Sequence, residues 1–207
     1  MQQFTEQFLE NLKNTGWLEY VAVIAGILSV WFSKKENILV YPVGLINTTF
    51  YVYLSIEGSL FGEAAVNFYY TVMSIYGWLL WTRRDQAHRI KLRITWSSGQ
   101  EWMHQLLFFL FFYVAIFSAL SWLRSAFSAN TVPALDAFAS ATAFTGMWLM
   151  AGKKVESWYW WIGTNITSIP LFYMKNYALT SVYYLILLVL AVSGLMEWKQ
   201  RARVNRQ

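Results

Sequence analysis

Seven stretches of this chain are nearly unbroken apolar sequence, and short polar or charged joints divide them: Trp17–Ser33, Asn37–Ile56, Gly62–Thr82, Trp102–Leu123, Pro133–Ala151, Ser157–Met174 and Tyr177–Trp198. A helix rises about 1.5 Å per residue, so about 20 residues cross the ~30 Å hydrocarbon core of a bilayer. A spanning segment has no water to bond its backbone, so each stretch is predicted as an α-helix. The expected fold is an all-α integral membrane protein with seven transmembrane helices. Residues 1–16 are polar, and Phe4, Phe8, Leu9 and Leu12 recur at roughly helical spacing. This segment reads either as a surface-lying amphipathic helix or as an unstructured tail, and it lacks the basic start and cleavage site of a signal peptide.

The pattern occurs twice in the same order. Gly77 and Trp81 recur as Gly194 and Trp198, and Leu18-Glu19 recurs as Leu135-Asp136, all at an offset of 117. Lys34-Lys35-Glu36 is echoed by Lys153-Lys154-Val155-Glu156, and Asn47 by Asn165, with offsets shifted by one or two. Residues 17–82 and 133–198 therefore read as two three-helix repeats. The helix at 102–123 has no mate. A three-helix unit ends on the side opposite its start, so a second unit in the same orientation needs one extra crossing. The plan is three plus one plus three, with parallel repeats related by an axis along the membrane normal.

Composition agrees with this solvent. Hydrophobic residues make up 57%, charged residues 13%, and mean hydropathy is +0.36, whereas soluble domains carry about 25% charged residues. Without cysteine, neither disulfides nor thiolate metal sites are possible. The sixteen basic residues divide unevenly. Lys13, Arg124 and Lys175 fall on one side; the basic loop 83–101, the joints after the first and fifth spans, and the tail 199–207 hold the rest. The positive-inside rule places the amino terminus in the periplasm and the carboxyl terminus in the cytoplasm. The net charge of +5 thus reports topology, and no nucleic-acid partner is expected.

Polar groups at mid-bilayer are costly unless satisfied, so their positions mark candidate chemistry. Trp158, Trp161 and Asn165 lie three and four apart and form one helical stripe. Tyr41, Gly44, Asn47 and Tyr51 form a similar stripe in the second span, and Asn67, Tyr70, Ser74 and Gly77 share a face of the third, with Tyr76 beside it. The candidate substrate-binding set is Trp158, Trp161, Asn165, Asn47, Tyr51, Asn67, Tyr70 and Tyr76. The two mid-span asparagines also fit a plain role as interhelical glue. Trp17, Trp31, Trp81, Trp102, Trp122, Trp148 and Trp198 are expected in interfacial belts. The fifth span is rich in Ala, Ser, Thr and Gly and is expected to pack tightly.

No acidic residue lies at mid-depth, which favours movement down a gradient over proton coupling. The chain has no phosphate loop, no HExxH and no mid-depth lysine in the seventh span. No enzyme, cofactor or metal is expected. A seven-span receptor without transport and a membrane scaffold stand as the competing classes.

Trp158-x-x-Trp161-x-x-x-Asn165 resembles the WxxWxxxN/D signature of PnuC-type vitamin transporters. Asn67-Phe-Tyr-Tyr70 with Ser74-Ile-Tyr76-Gly77-Trp78-x-x-Trp81 resembles that family's third-span motif, and the three-plus-one-plus-three plan is shared with SWEET sugar transporters. Asn67 departs from the glutamine found in many relatives. The resemblance spans roughly Trp17 to Lys199. It implies facilitated diffusion of nicotinamide riboside across the bacterial inner membrane, trapping by a cytoplasmic kinase, and a homotrimer; thiamine is the rival vitamin. The riboside is a pyridinium cation, which Trp and Tyr rings attract without any fixed charge. A phosphate would want lysine or arginine, and none lies within a span. On this reading Trp158 and Trp161 are expected to stack on the ring or gate the cytoplasmic side. The same reading sets Asn165 and Asn47 on the polar groups.

Overall fold

The computed structural model describes residues 16–57, 61–84, 92–127 and 132–204. Among these are seven helices: α1 (Trp17–Lys34), α2 (Val40–Glu57), α3 (Phe61–Thr82), α4 (Gly99–Phe127), α5 (Pro133–Ala151), α6 (Ser157–Met174) and α7 (Ala178–Val204). By length and composition alone, α1, α4 and α7 are apolar enough to cross a membrane unaided. The other four carry more polar and small residues, several of which face inward. The amino-terminal segment through residue 15 and the stretch 85–91 of the basic loop lie outside the described residues.

Helix ends follow local chemistry. The second helix starts at Val40 rather than Asn37 because Glu36 takes a left-handed backbone (φ 57°) and the Asn37 side chain accepts from the Leu39 amide at 2.9 Å. The fourth begins early, at Gly99, because Ser98 and Glu101 form a capping box: the Ser98 amide donates to the Glu101 carboxylate at 2.7 Å, and the Glu101 amide to the Ser98 hydroxyl at 3.2 Å. Pro133 opens α5, where the Asp136 carboxylate accepts from the Val132 amide at 2.8 Å. The seventh helix continues past the predicted end to Val204, so Lys199, Arg201 and Arg203 stand on its last turns.

Neighbours in sequence pack side by side: α1 on α2 on α3, and α5 on α6 on α7. Two further contacts join these groups, α1 with α7 and α3 with α5, while α4 rests on α5. Small side chains let α5 sit at the centre, where Ala137, Ala141, Ala143, Thr145 and Gly146 are all buried. Thr164 of α6 donates to Thr142 of α5 at 2.9 Å, and Thr71 of α3 donates to Thr48 of α2 at the same distance.

Most of α4 faces outward, through Leu106, Leu107, Leu110, Phe111 and Val114. One polar residue turns inward. Gln105 is fully buried, donates to Ser97 at 2.7 Å and accepts from the Trp160 indole at 3.2 Å. Ser97 in turn holds Glu156 through its amide at 2.8 Å and its hydroxyl at 2.9 Å. These bonds, with the Thr95–Lys154 bridge, fix the segment before α4 across the α5–α6 joint.

The tryptophan belt needs a correction. Trp17, Trp31 and Trp122 are exposed as expected, but Trp81 and Trp198 are buried. Each indole donates to a backbone carbonyl of the opposite helix group: Trp81 to Ala151 at 3.1 Å, and Trp198 to Ser33 at 3.1 Å and Lys34 at 3.2 Å. A helix's last carbonyls lack an intrahelical donor, and these indoles supply one. Ile94, from the segment before α4, fills the space between them together with Val155 and Trp158. Two glycines admit the rings. A Cβ on Gly77 would lie 2.5 Å from the Tyr41 ring, and one on Gly194 would lie 2.6 Å from Trp158. Gly194→Ala is therefore expected to overpack this core and lower stability by about 1–3 kcal/mol, read as a fall in the thermal unfolding midpoint in detergent.

Candidate functional site

The predicted site residues fall into three levels along the bundle. At the end of the bundle that holds the α1–α2 and α5–α6 joints, Trp158 is 1% exposed and meets Trp198 edge to face, with ring centres 5.5 Å apart. Tyr41, which shares the polar stripe of the second span but is not among the eight candidates, packs against Trp81 in the same way at 5.1 Å. Both rings belong to the closed core around Ile94.

The middle level centres on Asn165, which is 2% exposed. Trp161, one turn away on α6, lies against Gly146 of α5, where an added Cβ would come within 3.2 Å of the indole. Tyr70 of α3 stands 6.2 Å from the Trp161 ring and 6.1 Å from Phe144. Tyr69 stacks on Phe144 at 4.2 Å and donates to its carbonyl at 3.1 Å. Nearby, Tyr184 of α7 lies by the buried Ser168 of α6 and stacks on Phe172 at 5.2 Å. Residues from α3, α5, α6 and α7 thus bring a group of aromatic rings together beside the stretch of α6 that carries Trp161 and Asn165.

The remaining candidates are placed differently. Asn47 is half-buried and donates to the Ala22 carbonyl at 2.7 Å, which ties α2 to α1. Asn67 donates to Glu63 within its own helix at 3.0 Å. Tyr51 lies nearer the opposite end, in a cleft with Glu19 and Tyr183. Tyr76 is 46% exposed on the outside of α3 and is not brought to the other candidates. The structure therefore gathers Trp161, Asn165 and Tyr70, and sets Trp158 towards one end of the bundle and Tyr51 towards the other.

Among the described residues, three buried side-chain atoms make no hydrogen bond: the Tyr41 hydroxyl, the Trp158 indole nitrogen and the Asn165 carbonyl oxygen. All three lie on α2 or α6, the middle helix of each group. An unmet buried polar atom costs about 1–3 kcal/mol, so it needs a reason. The Tyr41 and Trp158 atoms belong to rings closed into the core around Ile94, whereas the Asn165 oxygen lies at the middle level, one helical turn from Trp161. Tyr41 stands 117 residues before Trp158, so the repeat could have pointed to it. Phe144, Ser168 and Tyr184 carried no local signal, because their relevance comes from the packing of α5 and α7 against α6.

A family model for nicotinamide mononucleotide transporters matches residues 16–200. The chain belongs to that family. The nicotinamide riboside transporter PnuC of Escherichia coli (strain K12) is 26% identical over 207 residues, covering 90% of this chain and 87% of that protein. The riboflavin/roseoflavin transporter RibM of Streptomyces davaonensis (strain DSM 101723 / JCM 4913 / KCC S-0913 / 768) is 23% identical over 194 residues, with 90% and 86% covered. The crystal structure of the vitamin B3 transporter PnuC superposes with a TM-score of 0.73 at 24% identity, covering 97% of this chain and 88% of that one. Fold and family thus agree with the membrane transporter reading, and the relatives named carry more than one vitamin.

Proposed function

We propose that this chain is an inner-membrane carrier that takes up nicotinamide riboside by facilitated diffusion, with cytoplasmic phosphorylation trapping the product. The observation that carries this reading is the Asn165 carbonyl oxygen, buried without a protein donor beside a group of aromatic rings. A pyridinium carboxamide matches that site. Its amide hydrogens complete the Asn165 acceptor, and its cationic ring gains from the faces of Trp161 and Tyr70. No lysine or arginine lies in any of the seven helices except near their ends, so nothing at mid-depth would neutralise a phosphate. The riboside therefore fits better than the mononucleotide of the family's description.

The carrier reading includes a duplicated frame. Its support is a set of contacts that map onto one another by the 117-residue shift. Tyr41 on Gly77 mirrors Trp158 on Gly194, and Trp81 to Ala151 mirrors Trp198 to Lys34. Exchanging the two triplets turns the α1–α7 contact into the α5–α3 contact. The two residues of the Ser33–Met150 and Glu36–Lys153 pairs stand 117 apart and so meet across the axis. Rocking one triplet against the other would expose Asn165 to each side in turn. The amino terminus faces the periplasm and the carboxyl terminus the cytoplasm, and the carrier assembles as a homotrimer, as the resemblance implies.

Isothermal titration of the detergent-solubilised protein with nicotinamide riboside, nicotinamide mononucleotide and thiamine tests the ligand. Saturable binding of the riboside alone is expected. Thiamine binding without riboside binding would reassign the vitamin, and binding of the mononucleotide as tightly as the riboside would refute the phosphate argument.

A further inference from the structure

We infer that the cleft between the outer ends of α1 and α7 is an entry subsite for the cationic ring of the substrate, with Glu19 as its counter-charge. This rests on the riboside reading above and on the outward placement of the amino terminus.

The cleft is lined by Glu19 and Val23 of α1, Tyr51 of α2, and Thr180, Tyr183 and Ile186 of α7. Its cavity volume is about 80 Å³, well under the roughly 300–1,000 Å³ of an enclosed ligand pocket. It suits one ring at a time, not a whole nucleoside. The cleft also lies at one of the two contacts between the helix groups, α1 with α7, so a ligand reaching the centre from outside would pass it.

Glu19 differs from its mate in the second repeat. Asp136 stands 117 residues later and is neutralised: its carboxylate meets Lys175 at 2.6 Å and caps the Val132 amide. Glu19 has no such partner. Its half-buried carboxylate makes no ion pair or hydrogen bond with any described residue. A carboxylate in the first turn of a helix is favourable by itself, but that does not explain an unpaired one facing tyrosines. Lys175 is already held by Asp136 at 2.6 Å.

An unpaired carboxylate beside two phenol rings suits a flat organic cation, by charge attraction and by ring quadrupoles. Tyr183 shares the cleft with Tyr51 and meets Tyr184 edge to face at 5.5 Å. This row of rings leads from Glu19 towards Trp161 and Asn165. The subsite would raise the local concentration of the cation at the mouth, which acts on capture and not on the rate of crossing.

Reconstituted vesicles test this with radiolabelled nicotinamide riboside. With Glu19→Gln, the KM at low salt is expected to rise roughly fivefold, with the maximal rate unchanged. Glu19→Asp should stay near wild type, and Glu19→Lys should raise KM further. High salt should bring wild type close to Glu19→Gln. An unchanged KM in Glu19→Gln, or a loss of maximal rate that salt does not alter, overturns the subsite. Failure of the wild type to move the riboside instead overturns the underlying ligand reading.

Discussion

Asn165→Leu is expected to abolish riboside binding while leaving the protein folded and no less stable. Leucine keeps the branched outline of asparagine with methyl groups in place of the amide's oxygen and nitrogen, and the replacement removes a buried oxygen that has no protein donor. A buried acceptor in that state costs about 1–3 kcal/mol, so its removal relieves the free protein. The complex loses the reverse. A site built to bond a polar group discriminates by up to about 10⁴–10⁵ against an analogue that cannot make the bond, and here the protein is the side that loses its group. The dissociation constant should rise by about a hundredfold or more, with the thermal midpoint steady or higher. Calorimetric titration and thermal unfolding in the same detergent read both quantities. A lower midpoint with unchanged affinity would make Asn165 packing glue.

Glu36→Gln is expected to be the most destabilising isosteric change at the end of the bundle that holds the α1–α2 and α5–α6 joints. Lys153 is almost wholly buried, and its ammonium meets the Glu36 carboxylate at 2.6 Å and stands 4.4 Å from the centre of the Trp81 ring. Neutralising Glu36 leaves a buried ammonium with only a ring for company, and breaking a buried pair from one side costs about 3–5 kcal/mol. The reciprocal change is milder, because Arg201 also holds Glu36, at 3.0 Å. Lys153→Met should cost less than Glu36→Gln, and the double variant should recover part of the loss. Thermal unfolding of the three variants forms a cycle that isolates the pair. Equal costs for the two single variants would show that stranding the buried ammonium is not what makes the loss of Glu36 severe. Lys35, Glu197 and Arg201 extend the same ionic group across the ends of α1 and α7, so these variants should also shift the balance between inward-open and closed states.

The sequence carried the helices well, because a bilayer-length apolar run has few other solutions. It misplaced their ends where side chains intervened: Asn37 in its turn, Ser98 with Glu101, and the long run of α7. The belt reading of Trp81 and Trp198 failed for a related reason. Tryptophan at a span end ordinarily sits at the interface, yet here each indole finds a carbonyl across the bundle, and nothing along the chain announces a partner 70 or 165 residues away.

The candidate site was legible only in part. The Trp158–Trp161–Asn165 stripe and Tyr70 were visible because polar and aromatic groups at helical spacing stand out in an apolar span. Their separation into a closed core and a middle group of rings was not, since it depends on Gly194 admitting one ring and Gly146 the other. Asn47 and Asn165 look alike in sequence, yet one bonds a neighbouring helix and the other keeps its oxygen unbonded.

By itself, the sequence determined the solvent, the helices, the sidedness expected from charge and the repeat of 117 residues, all of which arise from local composition and spacing. Only the tertiary structure decided which polar atoms are satisfied and which ring faces which, because both depend on how closely two backbones approach. The same holds for the unpaired Glu19 and its paired mate Asp136: equivalent in the chain, they differ because a lysine from another helix end reaches only one of them.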